Sequence, residues 1–209
     1  MDAISLLFAD EFLLVLDKPA GLLAVPGRTE PDCLAARAQK QFPDALTVHR
    51  LDMATSGLIA MGRGADAQRA LSMAFAERRV HKRYVAVVAG HLQPPDGGVG
   101  EVNLPLRCDW PNRPRQMVDP VQGKPSLTRW RVLGHGADAT RVELEPVTGR
   151  SHQLRVHMAS LGHPIVGDEL YAPPDVLARS PRLLLHAAEL ALPHPRDGTV
   201  MRFESPAPF

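Results

Sequence analysis

One cluster of polar residues has the composition needed to hold a reactive carboxylate. Asp52 lies between the basic pair His49-Arg50 and the hydroxyl of Thr55, in the run H-R-L-D-M-A-T-S-G. Basic and hydroxyl neighbours keep a carboxylate ionised, as a nucleophile or general base requires. The apolar stretch 58–61 follows and predicts a strand that would position the cluster. The alternative is a turn in which Asp52 and Thr55 only satisfy backbone N–H groups.

A second cluster, at 149–157, reads G-R-S-H-Q-L-R-V-H. The pattern predicts a helix over 151–161, with Arg150 ahead of it and with His152 and Arg155 on one helical face. A planar guanidinium binds a carboxylate through two parallel hydrogen bonds, so Arg150 is the natural partner of a catalytic carboxylate if the fold brings the two together. Taken alone, an arginine before a helix is more often a surface cation.

The third cluster is Lys82-Arg83-Tyr84, between a predicted basic helix over 65–79 and a predicted strand over 84–88. A tyrosine beside basic residues suits stacking on a base or a sugar of a nucleic acid. The commoner explanation of such a tyrosine is a half-buried position in a strand.

Several other kinds of site are absent from the sequence. There is no G-x-S-x-G elbow, no P-loop and no kinase-type glycine-rich loop. His152 and His157 lie five residues apart, without the partners that a metal site requires. Cys33 and Cys108 are isolated, which excludes a disulfide framework and a zinc ribbon. Without a signal peptide or a long apolar run, we expect a soluble cytoplasmic protein.

Charge is distributed unevenly along the 209 residues, although 24 basic and 23 acidic residues give a net charge of only +1. Residues 1–32 carry six acidic and two basic side chains, a balance of −4. Residues 62–83 and residues 104–131 each carry six basic and two acidic side chains, a balance of +4 in each. The two basic segments are candidates for binding nucleic acid, and solvated faces are the alternative.

The elements that must position these clusters predict an α+β fold. Several strands follow one another directly, which favours a mixed, largely antiparallel sheet flanked by helices and loops. The proline-rich stretch 104–125 predicts a projecting loop or irregular hairpin. The predicted strands are 4–8, 12–17, 58–61, 84–88, 126–133, 140–144 and 183–192, and the predicted helices are 32–41, 65–79 and 151–161.

The ordered motifs resemble the RluA family of pseudouridine synthases. They are H-R-L-D-x-x-T-S-G, K-x-Y-x-x-x-x-x-G and G-R-S-H-Q-L-R-V-H-M followed by L-G-H-P-I-x-G-D. The resemblance extends from L-D-K-P-A-G-L at 16–22 to R-L-L-L-H-A at 182–187 and H-P at 194–195. It implies one catalytic domain over 1–209 that isomerises uridine in RNA without a cofactor or metal. The stretch C-D-W-P-N-R-P at 108–114 resembles members that act on both 23S ribosomal RNA and the tRNA anticodon stem-loop, at uridine 32.

The resemblance also implies roles for individual residues. Asp52 would be catalytic, and it stays open whether it attacks C1′, attacks C6 or assists proton removal from C2′. Arg50 would occupy the space left by a flipped nucleotide, Tyr84 would stack on the target base and is a candidate for proton transfer, and Arg150 would pair with Asp52. The other residues expected to contact RNA or the target base are His49, Thr55, Lys82, Arg83, Arg113, Arg115, His152, Gln153, Arg155, Leu184 and Leu185.

Only 48 residues precede His49, so we expect no appended S4-type RNA-binding domain. RNA recognition would then fall to the catalytic domain, with 104–125 as one jaw that bends an RNA stem-loop. Nothing in the sequence demands more than a monomer. A non-catalytic RNA-binding or RNA-folding module on the same fold is the alternative, and a metal-dependent hydrolase is a distant third. Loss of pseudouridine formation in an Asp52→Ala variant would favour the pseudouridine synthase over both of these alternatives.

Overall fold

A computed structural model describes residues 4–209. The chain forms two compact units: the first contains residues up to Lys82 together with His186–Pro208, and the second contains Arg83–Leu185 together with Phe209. None of the helices in the described part of the chain combines the length and the apolar character that a membrane crossing demands.

Strands outnumber helices along the chain. In sequence order the elements are β1 (Ser5–Ala9), β2 (Leu13–Lys18), α1 (Leu34–Gln41), β3 (Ala45–Thr47), β4 (Ser56–Arg63), α2 (Gly64–Ala76), β5 (His81–Ala89), β6 (Gly100–Asn103), β7 (Leu106–Cys108), a short 3-10 helix (Trp110–Asn112), β8 (Gln116–Val118), β9 (Leu127–His135), β10 (Ala139–Pro146), α3 (Gln153–Ser160), α4 (Pro174–Leu177), β11 (Leu185–Pro193) and β12 (Val200–Glu204).

The first unit is a sheet covered by a helix on each face. Strand β2 pairs antiparallel with β1 and β4, β4 pairs parallel with β11, and β12 pairs antiparallel with β11. Alternate side chains of β2 and β4 point to opposite faces. One set, with Leu14 and Ile59, packs on α1, and the other, with Val15 and Leu58, packs on α2. Burial on both faces explains why β2 and β4 are almost continuously apolar.

The second unit is antiparallel. Strand β10 pairs with β5 on one side and with β9 on the other, and β9 pairs with β6. Strands β7 and β8 form a separate two-stranded hairpin within the proline-rich stretch. Trp130 of β9 lies over Gly100 of β6, where an added Cβ would come within 2.3 Å of the indole ring.

The structure confirms the predicted α+β class and the mixed, largely antiparallel pairing. It also confirms the three predicted helices and the hairpin in the proline-rich stretch. Several boundaries differ by one to three residues: α1 begins at Leu34 and not at 32, α2 ends at Ala76 and not at 79, and α3 begins at Gln153 and not at 151. His152 precedes the helix with a left-handed backbone (φ 53°), so it does not share a helical face with Arg155. Four short elements are additional to the prediction, namely β3, β6, α4 and β12.

Candidate active site and RNA-contacting surface

Asp52 lies in a tight turn that leads into β4. The backbone N–H of Thr55 donates to the carbonyl of Asp52 at 3.1 Å, which closes the turn. Asp52 is partly exposed, whereas Leu51 and Thr55 are 6% and 3% exposed. The turn therefore presents a partly exposed carboxylate between the buried side chains of Leu51 and Thr55, next to Met53, which is 50% exposed. Burial of Thr55 does not favour the direct RNA contact predicted for it.

Lys18 supports this turn from inside the protein. Its side chain is fully buried, and Nζ donates to the carbonyls of Pro19, Leu22 and Met53 at 2.9, 2.6 and 3.0 Å. The N–H of Gly21 donates to the same Met53 carbonyl at 2.9 Å. The K-P-A-G stretch thus fixes the residue that follows Asp52. Sequence reasoning assigned Lys18 no role, although a lysine inside an apolar strand pattern was an available signal.

The start of β4 is fixed by a close approach to β11. A Cβ on Gly57 would lie 2.4 Å from the carbonyl oxygen of Ala187, and φ at Gly57 is +111°, so only glycine fits this position. Beside it, Ser56 Oγ and His186 Nδ1 are 2.8 Å apart. His186 Nε2 lies 3.1 Å from the carbonyl of Ser205, which requires Nε2 to be the donor.

His49 is anchored inside the protein by its own contacts, so the RNA contact predicted for it is not favoured and stays a prediction. Its Nε2 accepts a hydrogen bond of 2.9 Å from the N–H of Ala60, and its ring stacks on Phe75 with centroids 4.4 Å apart. Burial, together with the positive charge of Lys82, lowers the pKa of His49 to about 3. His49 is consequently neutral at physiological pH and holds the chain ahead of Asp52 against β4.

The basic side chains predicted near the site differ in their surroundings. Arg50 is exposed, and no carboxylate within residues 4–209 forms a salt bridge with it. Lys82 is half-buried, and burial lowers its pKa. Arg83 lies 3.8 Å from Glu143, which also pairs with Arg131 at 2.9 Å. Of these basic residues, Arg50 is therefore the most available to an RNA ligand.

Tyr84 and Arg150 belong to the second unit, and Asp52 to the first. Tyr84 is a partly exposed residue of β5 opposite Leu144 of β10. Arg150 is exposed in the loop before α3, where its Nε lies 3.3 Å from the carbonyl of Pro125. The predicted pairing of Arg150 with Asp52 stays a prediction.

The buried side chain of Gln153 stabilises the loop that contains Arg150. Its side chain is 3% exposed, and Oε1 accepts hydrogen bonds from Thr148 Oγ1 at 2.7 Å and from the N–H of Arg150 at 3.0 Å. Nε2 donates to the carbonyl of Leu127 and to Thr128 Oγ1. Both ends of the Gln153 amide are hydrogen-bonded within the protein, which does not favour the predicted RNA contact; that contact stays a prediction.

Arg155 forms a buried ion pair with Asp168. Arg155 Nε and Asp168 Oδ2 are 2.8 Å apart, Arg155 Nη2 and Asp168 Oδ1 are 2.6 Å apart, and the two side chains are 5% and 0% exposed. Asp168 also accepts the N–H groups of Leu170 and Tyr171. Because its guanidinium lies inside the protein, the structure does not favour the RNA contact predicted for Arg155, which stays a prediction.

Tyr171 connects α3 with the β7–β8 hairpin. Its hydroxyl accepts the N–H of Gln116, at the start of β8, at 2.7 Å and lies 2.7 Å from Nδ1 of His152. Burial raises the pKa of Tyr171. His152 is thus hydrogen-bonded within the protein, and a direct RNA contact by its Nδ1 is not favoured. Sequence reasoning missed Tyr171, although it is one of only two tyrosines.

The arginines of the second basic segment differ in whether a carboxylate pairs with them. Arg107, Arg129 and Arg131 are paired with the carboxylates of Asp119, Glu101 and Glu143. Arg113 and Arg115 instead face aromatic rings, with guanidinium carbons 4.7 Å from the Trp110 ring centroid and 5.3 Å from that of Tyr171. Within residues 4–209, neither has a carboxylate partner. The prediction of RNA contact therefore rests chiefly on these two.

The predicted apolar wall involves two leucines of unequal exposure. Leu184 is partly exposed, packs with Val166 and Val176, and its N–H donates to the carbonyl of Val166 at 3.0 Å. Leu185 is 3% exposed. Leu184 is the better candidate for a surface against a base.

Side chains of the types that bind metal ions are dispersed. In the described part of the chain, no three His, Cys, Asp or Glu side chains are grouped as metal ligands. Cys33 is buried and accepts the N–H of Ala36 at the start of α1, and Cys108 lies in β7.

Comparison with known proteins places the chain in a family. Residues 12–160 match the family described as RNA pseudouridylate synthase. The dual-specificity RNA pseudouridine synthase RluA of Escherichia coli K12 is 52% identical over 207 residues, covering 98% of this chain and 93% of that protein. RluA of Vibrio cholerae is 50% identical, covering 99% of this chain and 84% of that protein. The solved structure of human RNA pseudouridylate synthase domain containing 1 has a TM-score of 0.84 and 32% identity, covering 100% of this chain and 85% of that one. The chain belongs to the RNA pseudouridylate synthase family.

Proposed function

We propose that this protein converts specific uridines to pseudouridine in structured RNA stem-loops, in 23S ribosomal RNA and at uridine 32 of the tRNA anticodon stem-loop. The observation that carries the proposal is the Asp52 turn, in which a buried lysine and buried neighbours present a partly exposed carboxylate. The relatives that are 50 to 52% identical over nearly the whole chain are named dual-specificity RNA pseudouridine synthases, which supports both substrate classes.

The reaction is an isomerisation that the chain's own residues suffice to carry out. The N1–C1′ bond breaks, the uracil turns within the site, C5 bonds to C1′, the proton on C5 is lost, and N1 gains a proton. No atom is added and no electron is transferred, so neither a redox cofactor nor an energy source is required. A carboxylate is the nucleophile or base that such a step needs, and exclusion of water retains the detached base.

Asp52 supplies that carboxylate, by attack at C1′, by attack at C6 or by removal of a proton from C2′. Arg50 occupies the space left by the flipped uridine; its exposure and lack of a carboxylate partner in the described chain support this. Tyr84 stacks on the target base, and Arg150 pairs with Asp52 and keeps it anionic. Leu184 contributes apolar surface beside the base.

RNA recognition falls to the catalytic chain itself. The β7–β8 hairpin acts as one jaw on the stem-loop, with Arg113 and Arg115 on phosphates. Both arginines are exposed, and in the described chain neither is neutralised by a carboxylate, which supports this role. We further propose that the protein works as a monomer in the cytoplasm, without a metal ion.

The test uses RNA transcripts that carry tritium at C5 of uridine, because C5 loses its hydrogen when it bonds to C1′. The protein should release tritium to water from an anticodon stem-loop and from a 23S fragment. Asp52→Asn keeps the size of the side chain and removes its charge, so release should stop. Asp66→Asn, at an exposed position in the first turn of α2, should release tritium at the wild-type rate. Release at the wild-type rate by Asp52→Asn would refute the assigned role.

A further inference from the structure

The two tryptophans of the chain occupy opposite environments. Trp130 is 8% exposed in β9, whereas Trp110 is 64% exposed at the tip of the β7–β8 hairpin. A single exposed apolar residue is common on protein surfaces and means little by itself. The surroundings of Trp110 decide whether its exposure points to a ligand.

The hairpin tip is held in shape by its own hydrogen bonds. The N–H of Asp109 donates to the carbonyl of Arg115 at 3.0 Å, and the N–H of Arg115 donates to the carbonyl of Asn112 at 3.0 Å. The side-chain amide of Asn112 also donates to Asp109 Oδ2 at 3.0 Å. Trp110 is therefore presented by an ordered turn, so little conformational entropy is lost when its ring receives a ligand.

Arg113 adds a planar, positively charged guanidinium to the hairpin tip. Its guanidinium carbon lies 4.7 Å from the centroid of the Trp110 ring. No carboxylate in the described chain pairs with Arg113, whereas Arg107 in the adjacent β7 is paired with Asp119. With Arg113 already over the indole, Trp110 keeps 64% of its surface exposed, which leaves room for a second planar group.

We propose that Trp110 and Arg113 form a nucleobase-stacking site at the hairpin tip, separate from the carboxylate turn that acts on the target uridine. An unpaired base of the RNA stacks on the Trp110 indole, and the Arg113 guanidinium binds a phosphate of the same strand. An exposed ring beside an uncompensated guanidinium has the charge and shape that single-stranded RNA requires. The inference rests on the proposed function, because the RNA is the enzyme's substrate.

Stacking should be visible in the protein's own fluorescence, because one tryptophan is exposed and the other is buried. Titration with an anticodon stem-loop should quench Trp110 and shield it from acrylamide. Trp110→Ala should weaken binding about tenfold, within the range observed when a base loses its aromatic partner. Trp110→Phe retains a ring, so binding should stay within about threefold of wild type while the fluorescence change disappears. Val200→Ser, at a 72% exposed position in β12 and outside the 104–125 stretch, is the matched control and should bind normally.

Two results would overturn the stacking site. One is Trp110→Ala binding the stem-loop with the wild-type Kd and KM while the wild type forms pseudouridine; the proposed function would then stand, and a protein partner would become the candidate occupant of Trp110. The other is fluorescence quenching that persists in Trp110→Phe, which would assign the signal to Trp130. If the wild type releases no tritium from any RNA, the proposed function itself fails.

Discussion

The ammonium group of Lys18 donates a hydrogen bond of 3.0 Å to the main-chain carbonyl of Met53, the residue that follows Asp52. Lys18 Nζ also donates hydrogen bonds to the carbonyls of Pro19 and Leu22. A lysine ammonium has three N–H groups, so each of them can bond to one of these carbonyls. A buried charge is costly unless polar partners surround it. Strand β2 thus fixes the Asp52 turn through a fully buried side chain.

Lys18→Met should destabilise the protein and impair catalysis together. Methionine fills a similar volume but leaves carbonyls that were hydrogen-bonded without a donor, so the free energy of unfolding should fall by about 2 kcal/mol or more. Urea unfolding gives this value, and tritium release below the unfolding transition gives the activity. Lys40→Met, at an exposed position in the last turn of α1, should change stability by less than about 0.5 kcal/mol. Undiminished tritium release by folded Lys18→Met would contradict the positioning role.

His49 should make stability depend on pH in the acid range. Its pKa in the folded protein is about 3, below the ordinary value of 6.5. As the pH falls below 6.5, His49 becomes protonated in the unfolded chain but stays neutral in the folded chain. The contribution of neutral His49 to the free energy of unfolding is therefore complete above pH 6.5 and declines as the pH falls towards 3. The decline is at most about 1.4 kcal/mol per pH unit.

Urea unfolding between neutral pH and pH about 4 measures this slope. His49→Gln keeps a side-chain oxygen as acceptor near the N–H of Ala60 and cannot titrate, so its slope should be lower. An identical slope in His49→Gln and wild type would show that His49 does not carry the acid sensitivity.

The Arg155–Asp168 pair predicts an effect on stability that depends on which partner is changed. Asp168→Asn leaves a buried guanidinium uncompensated, so the free energy of unfolding should fall by about 3 to 5 kcal/mol. Combining it with Arg155→Met removes the uncompensated charge and should recover part of that loss. Urea unfolding of the single and double variants gives the free energies of unfolding that the double-mutant cycle requires. A double variant no more stable than Asp168→Asn alone would contradict this account.

Periodicity predicted the elements whose side chains pack on both faces of the sheet, because burial of Leu14 and Val15 on opposite sides requires an apolar strand. It missed short edge elements such as β12, where exposed and half-buried residues alternate. In the candidate site, residue types indicated chemistry but not burial. Gln153 and Arg155 read as RNA contacts, yet they are hydrogen-bonded inside the second unit, and only the folded chain shows the Asp168 partner thirteen residues away.

Tyr171→Phe should loosen the hairpin without unfolding the protein. The change removes the hydroxyl that accepts the N–H of Gln116 and lies near His152, but it retains the ring under Arg115. Hydrogen exchange at the Gln116 amide should accelerate, and KM for the stem-loop should rise more than kcat falls. Tyr84→Phe is not a suitable control, because Tyr84 is assigned to the target base. Met117→Leu, an exposed position in β8, serves instead and should leave both readouts unchanged. Unchanged exchange at Gln116 in Tyr171→Phe would contradict the prediction.

The distribution of paired and unpaired arginines predicts which residues carry the salt dependence of RNA binding. Each phosphate contact releases counterions, so log affinity falls against log salt with a slope of about −0.7 per contact on a single strand. Arg113→Gln and Arg115→Gln should each reduce the magnitude of the slope by about 0.7, and the double variant by about twice that. Arg129→Gln is the matched control, because this exposed arginine is already paired with Glu101 at 3.0 Å. The slopes are obtained by measuring Kd for the stem-loop across a salt series. If the slope decreases in magnitude as much in Arg129→Gln as in Arg113→Gln, then the salt bridge with Glu101 does not prevent Arg129 from contacting phosphate.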